Sequence, residues 1–252
     1  MAVKGVSGVN DVNDVNDMNG ANDRKSTREK AMTEQRRCVI CAAGPVEKAE
    51  VLRPLLRPDD WVIAADGGVS LARRLGLTPS LLVADFDSSR RPDEGLTGEN
   101  ADGAGVPVAS LPVKKDDTDT MAAARIALER GFRDFLILGG TGGRLDHTAA
   151  NFAVLLYLRR QGARAMMADE HGWTEMLLPG RCFVEPETGM KLSLLPYAGE
   201  VTGLSVKNVE YPLEKATLTP DFPLGVSNEF TGPHPVEIEF ETGILQLFLS
   251  KD

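Results

Sequence analysis

Four short turns contain the residues whose types and spacing are suited to chemistry. In the densest of them, residues 114–119, three carboxylates, one hydroxyl and two lysines fall within six positions. Residues 66–68 and 84–88 add further aspartates, and residues 139–147 join four glycines with an arginine and an aspartate. Carboxylates at this density disfavour one another's charge unless cations or strong donors neutralise them. The four turns therefore predict a single site for a metal–polyphosphate substrate.

The aspartates are spaced for a divalent metal and a shared cleft. Asp85 and Asp87 lie two residues apart, so they point to the same side of a strand end. One or two carboxylates, completed by phosphate oxygens and water, are the ligands that Mg²⁺ prefers. Asp116 and Asp119 lie three residues apart across the start of a predicted helix. That spacing lets both of them face one cleft.

The glycine-rich turn has the composition of a phosphate site. Gly142 and Gly143, with the two glycines before them, let backbone N–H groups approach phosphate oxygens. Arg144 adds a planar guanidinium that is always charged. The turn differs from the Walker A motif, because no Gly-Lys-Ser/Thr follows.

Several of these residues have a structural alternative at predicted helix starts. Thr118 or Asp117 can cap the helix that follows them, and Asp146 is as suited to a cap as to direct substrate contact. His147 is better explained as a cap or support beside the cleft than as a catalyst.

The elements that position the turns alternate between strands and helices. Helices are predicted at 44–56, 69–75, 118–130 and 146–160, and strands at 38–42, 61–65, 81–84, 106–111, 134–138 and 163–168. Alternating strands and helices predict an α/β domain with a mostly parallel sheet. Ligands bind at the carboxyl ends of the strands in such sheets, and the aspartate-bearing turns each follow a predicted strand. A single aspartate after a strand is typical of a helix cap, but four aspartate-bearing turns on one edge of the sheet favour a binding site.

After residue 168, the sequence pattern predicts β-strands without helices. Short strands separated by Gly/Pro turns predict a C-terminal sandwich; they are placed at 181–184, 191–195, 203–206, 216–218, 235–240 and 243–250. We expect a disordered tail at 1–36, an α/β domain at 37–167 and the β-sandwich at 168–252.

Composition limits the partners and the compartment. The net charge of −9 argues against nucleic acid, which needs a basic face. The chain has no apolar run long enough for a membrane span and no secretion signal at its polar N-terminus. Cys38 and Cys41 lie on opposite faces of a predicted buried strand, which favours packing over metal binding. A reducing cytoplasm is the expected compartment.

These motifs together resemble the thiamine pyrophosphokinase (thiamin diphosphokinase) family over about residues 38–250. The family patterns are DGG, GDFDS, KDxTD and GGRxDHxxxN, and this chain has DGG at 66–68, ADFDS at 84–88, KDDTD at 115–119 and GGRLDH at 142–147, with Asn151. Further matches lie at 191–196, 203–204, 211–213 and 225–229. Ala84 stands where the family usually has glycine.

The resemblance implies transfer of a diphosphate from ATP to the hydroxyl of thiamine, with release of AMP. It implies Mg²⁺ as the metal and a homodimer whose sites are shared between one chain's α/β domain and its partner's β domain. By resemblance, Asp85 and Asp87 bind the metal with Asp66 nearby, and Asp119 orients or deprotonates the thiamine hydroxyl. Ser227 and Asn228 fall where the family contacts the thiamine pyrimidine.

On the nucleotide side, the resemblance implies that Lys115, Arg144 and Asp146 lie along the phosphates and metal. The sequence further predicts that Asp116 is directed to the metal or the phosphates, and that four more residues bind the nucleotide: Thr118, Gly142, Gly143 and His147. Asp117 lies where the family pattern varies and is expected to tolerate substitution. Two alternatives use the same residues. One is a metal-dependent nucleotide hydrolase, and the other is a non-catalytic thiamine or nucleotide sensor.

Overall fold

A computed structural model of the protein describes residues 36–84, 106–110 and 117–251. These residues form two compact units, one ending at Glu170 and the other beginning at His171. Lys115, Asp116, Asp85, Asp87 and most of the predicted tail lie outside the described residues.

The first unit is built on six parallel strands in the order β4-β3-β2-β1-β5-β6. The strands are β1 (Arg37–Cys41), β2 (Trp61–Ala65), β3 (Leu81–Ala84), β4 (Val108–Ser110), β5 (Asp134–Leu138) and β6 (Arg164–Asp169). The helices are α1 (Gly68–Leu75), α2 (Asp119–Glu129) and α3 (Leu145–Arg160), with a 3₁₀ helix at Ala49–Leu55. The central strands are near-continuous apolar runs because both faces of a parallel sheet are covered. Ile40, Ile63 and Ile137 are accordingly fully buried.

Strand β1 is the point at which the strand order reverses. The chain runs from β1 through β2 and β3 to β4 on one side, and then returns to β5 on the other side. Val39 pairs with Val62 of β2 and with Leu136 of β5. The loops that leave β1 and β5 therefore diverge and open a crevice at the carboxyl edge, where ligands bind in doubly wound sheets.

Two helix ends in this unit follow ordinary capping chemistry. Thr118 caps α2, since its Oγ1 accepts a hydrogen bond from the Met121 N–H at 3.2 Å. Gly76 ends α1 with a φ of 75°, a left-handed conformation that favours glycine.

Several element predictions differ from the structure. The predicted helix 44–56 is wrong before Ala49, because the loop that precedes the 3₁₀ helix bonds to side chains instead of forming a helical ladder. The predicted strand 106–111 begins later, at Val108. Strand β7 (Gly172–Leu177) was not predicted, because burial on both faces removes the alternation that marks a half-exposed strand.

The second unit contains two antiparallel sheets, with strand orders β7-β13-β9 and β11-β10-β12-β8. Besides β7, its strands are β8 (Gly180–Val184), β9 (Lys191–Pro196), β10 (Val201–Lys207), β11 (Leu213–Leu218), β12 (Val236–Phe240) and β13 (Leu245–Ser250). Leu245, Leu247 and Leu249 alternate along β13 and are fully buried. The predicted fold class, a parallel α/β unit followed by an antiparallel sandwich, is confirmed.

Within the described ranges, no helix combines the length and apolar character needed to cross a membrane. Cys38 and Cys41 are buried and unpaired, as their strand positions predicted. Burial raises the pKa of Cys41 to about 12, so its thiol stays protonated and unreactive at neutral pH.

Candidate active site

A cleft of about 440 Å³ lies in the first unit, among the loops that follow its strands. Its lining comes from four places: the loop after β1, the turn after β2, the start of α2, and the glycine turn with the first part of α3. The residues are Ala42, Ala43, Gly44, Pro45, Ala65, Asp66, Asp117, Thr118, Asp119, Thr120, Gly139, Gly140, Gly142, Gly143, Arg144, His147 and Asn151. The cleft thus contains seven of the predicted site residues.

Asp66 lies at the end of β2 in a conformation that few residues adopt. Its φ is 46°, in the left-handed region where aspartate is tolerated better than most side chains. Its backbone N–H donates to the Val83 carbonyl oxygen at 2.8 Å. This bond holds the turn after β2 beside the end of β3, the strand from which the chain continues to Asp85 and Asp87.

The start of α2 brings two acidic residues to the cleft. Asp119 is the first residue of the helix, directly after the capping Thr118. A carboxylate in the first helical turn is favoured by the helix dipole. Asp117 lies before the cap, and its Oδ2 forms an ion pair with Arg125 Nη1 at 2.7 Å. Asp117 is therefore already neutralised by its own helix.

The glycine turn runs from the end of β5 to the start of α3. Gly142 and Gly143 have φ values of 79° and 63°, so consecutive left-handed residues turn the backbone sharply. A β-carbon on Gly142 would lie 3.1 Å from Pro45 Cγ. The left-handed conformation at this position therefore favours glycine, and the proximity of Pro45 leaves little room for a side chain. The N–H groups of Gly142 and Gly143 donate to no atom in the described part of the chain.

Side chains below the glycine turn fix its course. Asn151 on α3 is 8% exposed, and its Nδ2 donates to the Gly140 carbonyl oxygen at 2.8 Å. Thr141 Oγ1 donates to Asp169 Oδ2 at 2.6 Å, which ties the turn to the end of β6. The turn is thus held from two elements, and Gly142 and Gly143 line the cleft.

Arg144 and Asp146 form a two-bond fork at the start of α3. Arg144 Nε donates to Asp146 Oδ1 at 3.1 Å, and Nη2 donates to Oδ2 at 2.6 Å. The hydrogen bond from Arg144 holds the pKa of Asp146 below its usual range, and the same bond raises the pKa of Arg144. Arg144 lines the cleft whereas Asp146 does not. Asp146 is therefore connected to the cleft by its hydrogen bonds with Arg144.

The capping alternative for Asp146 is wrong. Asp146 is the second residue of α3, and Arg144 occupies the N-cap position without a capping side-chain bond. The one backbone N–H that donates to the Asp146 carboxylate is that of the neighbouring His147, at 3.0 Å. His147 lines the cleft one residue farther along the helix.

Ser227 and Asn228 lie in the second unit, next to strand β9. Asn228 exchanges backbone hydrogen bonds with Leu192 in both directions, at 2.9 and 2.8 Å. Its side-chain Oδ1 accepts from the Tyr211 and Glu229 N–H groups, and its Nδ2 donates to the Tyr211 carbonyl. The Asn228 amide thus holds the turn at Tyr211 in place. Ser227, at a φ of 59°, donates its N–H to Ser193 Oγ at 2.9 Å.

The loop Ala42–Pro45 is the part of the cleft that the sequence reasoning missed. The sequence predicts a helix start at Gly44-Pro45, although a glycine in the loop after a buried strand can also mark a close approach of backbones. A β-carbon on Gly44 would lie 2.4 Å from the carbonyl oxygens of Gly139 and Thr141. That signal pointed to the loop's contact with the glycine turn.

Comparison with known proteins adds independent findings. Residues 52–167 match the family model for the thiamin pyrophosphokinase catalytic domain, and residues 183–245 match the model for its vitamin B1 binding domain. The chain is 27% identical over 214 residues to thiamine pyrophosphokinase of Bacillus subtilis, covering 84% of this chain and 98% of that protein.

Solved structures give the same result. The crystal structure of the Bacillus subtilis thiamine pyrophosphokinase is 26% identical, with a TM-score of 0.75 over 86% of this chain and 100% of that one. A thiamin pyrophosphokinase family protein from Enterococcus faecalis is also 26% identical, with a TM-score of 0.69 over the same shares.

Proposed function

Because the chain belongs to the thiamine pyrophosphokinase family, we propose that the cleft of its first unit transfers the diphosphate group of ATP to thiamine. The products are thiamine diphosphate and AMP, since the bond that breaks joins the α- and β-phosphates. The observation that carries the proposal is the meeting of the glycine turn, Arg144 and Asp119 in one cleft.

The glycine turn and the start of α3 supply the phosphate contacts. The N–H groups of Gly142 and Gly143 are oriented donors, and the N-terminus of α3 adds the positive end of a helix dipole. Arg144 donates to Asp146 from Nε and with one hydrogen of Nη2. The hydrogens of Nη1 and the second hydrogen of Nη2 remain for phosphate oxygens. Lys115, Thr118 and His147 complete the nucleotide side in this proposal.

We propose Mg²⁺ as the metal, held by Asp66, Asp85 and Asp87, with Asp116 directed to the metal or the phosphates. The residues fit such an ion: Asp66 is held beside the end of β3, and two further carboxylates follow that strand in the sequence. Among the described residues, no three side chains that could bind a metal ion are grouped together. Asp85 and Asp87 lie outside the described residues. When bound, Mg²⁺ neutralises charge on the triphosphate and on the carboxylates.

Asp119 is proposed to position the acceptor. Its carboxylate accepts a hydrogen bond from the thiamine hydroxyl and so directs that oxygen toward the β-phosphorus. The new oxygen–phosphorus bond forms as the bond to the α–β bridging oxygen breaks, and that oxygen leaves on AMP. The hydroxyl proton passes to the Asp119 carboxylate or to water as the new bond forms. A loose transition state requires little deprotonation before bond formation, so orientation is the larger contribution of Asp119.

The second unit is proposed to bind the thiamine pyrimidine near Ser227, and Asn228 keeps that loop in shape. We infer a homodimer in which these residues serve the cleft of the partner. Exposed apolar side chains precede Ser227 in the sequence, and a second copy of the chain is a suitable cover for them. They are Tyr211, Phe222, Leu224 and Val226, which are 65%, 62%, 50% and 48% exposed. The cytoplasm is the proposed compartment, consistent with the lack of a disulfide at any of the three cysteines, all of which lie in the described part of the chain.

Thiamine-dependent release of AMP tests the proposal. The purified protein is incubated with Mg²⁺ and ATP, with and without thiamine, and nucleotides are separated by chromatography. We expect AMP only when thiamine is present. Release of phosphate without thiamine would identify a hydrolase instead, and tight binding of thiamine or ATP without turnover would identify a sensor.

A further inference from the structure

The loop between β1 and the 3₁₀ helix is held by side chains from two other elements. Arg74, in the last turn of α1, donates from Nη1 to the Val46 carbonyl at 2.5 Å and from Nη2 to the Glu47 carbonyl at 2.6 Å. Glu170, directly after β6, accepts the Glu47 N–H on Oε1 at 2.8 Å. Backbone polar groups of a loop need partners, and here two charged side chains supply them.

This loop is packed directly against the glycine turn. Gly44 donates its N–H to the Gly139 carbonyl at 2.8 Å. The ring of Pro45 lies 3.1 Å from where a β-carbon of Gly142 would be, and 3.3 Å from that of Gly143. A displacement of residues 45–47 therefore moves Pro45 relative to the two glycines that line the cleft.

Neither Arg74 nor Glu170 lines the cleft. Arg74 is itself tied in place, since Arg53 Nη2 donates to its carbonyl oxygen at 3.2 Å. The path from each residue to the cleft is short: the backbone of Val46 and Glu47, then Pro45, then the glycine turn. Both residues can therefore act on a bound nucleotide only by fixing the loop.

We propose that Arg74 and Glu170 are positioning residues for nucleotide binding, which together clamp residues 46–47 and thereby set the glycine turn. The inference rests on the proposed function, because it assigns the phosphates of ATP to that turn. Loss of either side chain leaves the fold intact but lets the loop and Pro45 move away from Gly142 and Gly143.

Arg74→Met keeps the aliphatic stem and removes both donors, and Glu170→Ala removes the acceptor. We expect each variant to bind nucleotide about tenfold more weakly, since charged hydrogen bonds of this kind are among the stronger ones. Glu170→Gln retains an oxygen for the Glu47 N–H and should restore most of the affinity. Arg74→Lys should restore less, because one ammonium cannot span two carbonyls as a guanidinium does.

Arg133→Met is the matched control. Arg133 Nη1 also donates to two backbone carbonyls, those of Leu128 and Phe132, at 3.1 and 2.8 Å. Leu128 lies in the last turn of α2 and Phe132 in the connection to β5, so both lie near the start of β5 and not at its carboxyl end. The variant removes bonds of the same kind away from the glycine turn and should bind nucleotide like the unaltered protein.

The experiment is calorimetric titration of the full-length protein with Mg²⁺ and α,β-methylene ATP, whose α–β linkage cannot be cleaved. Hydrogen exchange of the peptide containing Glu47 is measured in parallel. We expect weaker binding and faster exchange in Arg74→Met and Glu170→Ala, with the KM for thiamine unchanged. Tight binding by the unaltered protein and equally tight binding by both variants would overturn the clamp. Failure of the unaltered protein to bind would instead contradict the proposed function.

Discussion

Arg144 shows how a single side chain in this cleft is prepared for its task. Two of its donors are fixed by Asp146, so the guanidinium plane is set before any ligand arrives. The remaining donors need no reorganisation to meet a phosphate, which is the advantage of a preorganised charge. We therefore propose that Asp146 positions Arg144, a distinction between the two residues that the sequence motif does not make.

The pKa of Asp146 provides a direct test of this fork. Its hydrogen bond from Arg144 lowers the pKa of the carboxyl group below that of an ordinary aspartate, about 3.9. The bonded carboxylate therefore favours the folded state above that ordinary pKa, and the effect is lost as pH falls through the lowered value. Carbon-detected NMR titration of the Asp146 carboxyl measures the value in the folded protein.

Arg144→Met is expected to raise the pKa of Asp146 toward its ordinary range. Arg125→Met, which removes the ion-pair partner of Asp117 instead, should leave the Asp146 titration unchanged. An Asp146 pKa that is the same with and without Arg144 would show that the fork does not form in solution.

At the scale of elements, the predicted strands were the most accurate part of the sequence reasoning. Residues 61–65, 81–84 and 134–138 are β2, β3 and β5 with the predicted bounds. Their apolar runs are short and end at aspartate or glycine, so local composition specifies them. The loop after β1 could not be predicted in this way, because its partners, Arg74 and Glu170, are distant in sequence.

The packing of α1 on β1 yields a prediction for Gly68. A β-carbon at this first residue of α1 would lie 1.9 Å from the Cys41 carbonyl oxygen, a backbone atom that cannot rotate away. Gly68→Ala should therefore lower the free energy of unfolding by about 2 to 3 kcal/mol, the cost of forcing extra volume into a packed site. Denaturant unfolding followed by circular dichroism measures the change.

Gly232→Ala is the control for this substitution. No atom lies within 4 Å of the position that its β-carbon would take, and its φ is not in the left-handed region. We expect it to unfold like the original protein. Equal stability of the Gly68 and Gly232 variants would contradict the close approach of α1 to β1.

At the scale of the whole molecule, the fold class and family followed from two features of the sequence. One is the order of the motifs, and the other is the change near residue 168 from alternating strands and helices to strands alone. Only part of the cleft lining was predicted from the sequence. Asp66, Asp119 and Arg144 were predicted together because each follows a strand of one parallel sheet, and all three line the cleft. The role of Asn228 was not predictable, because its bonds to Tyr211 join two loops that no local pattern connects.

A shared active site in a homodimer predicts complementation between two defective chains. Asp119→Asn removes the acceptor-positioning carboxylate, and Asn228→Ala removes the bonds that hold the loop beside Ser227. Each variant alone should be nearly inactive. A heterodimer purified through two different tags should have about half the activity of the unaltered dimer, because one site carries both defects and the other carries none.

The control is a heterodimer of Asp119→Asn with Asp66→Asn, whose altered residues line the same cleft and therefore cannot complement. A heterodimer of the Asp119 and Asn228 variants no more active than this control would show that each chain completes its own site.

The central claim is that this chain moves the β- and γ-phosphates of ATP together onto thiamine. The most direct measurement uses ATP carrying separate radioactive labels on the β- and γ-phosphorus, with Mg²⁺ and thiamine, and follows both labels into the products. We predict equal amounts of the two labels in thiamine diphosphate, with AMP formed in the same amount and without label. The γ-label alone in thiamine monophosphate beside labelled ADP, or label released as free phosphate, would contradict the account.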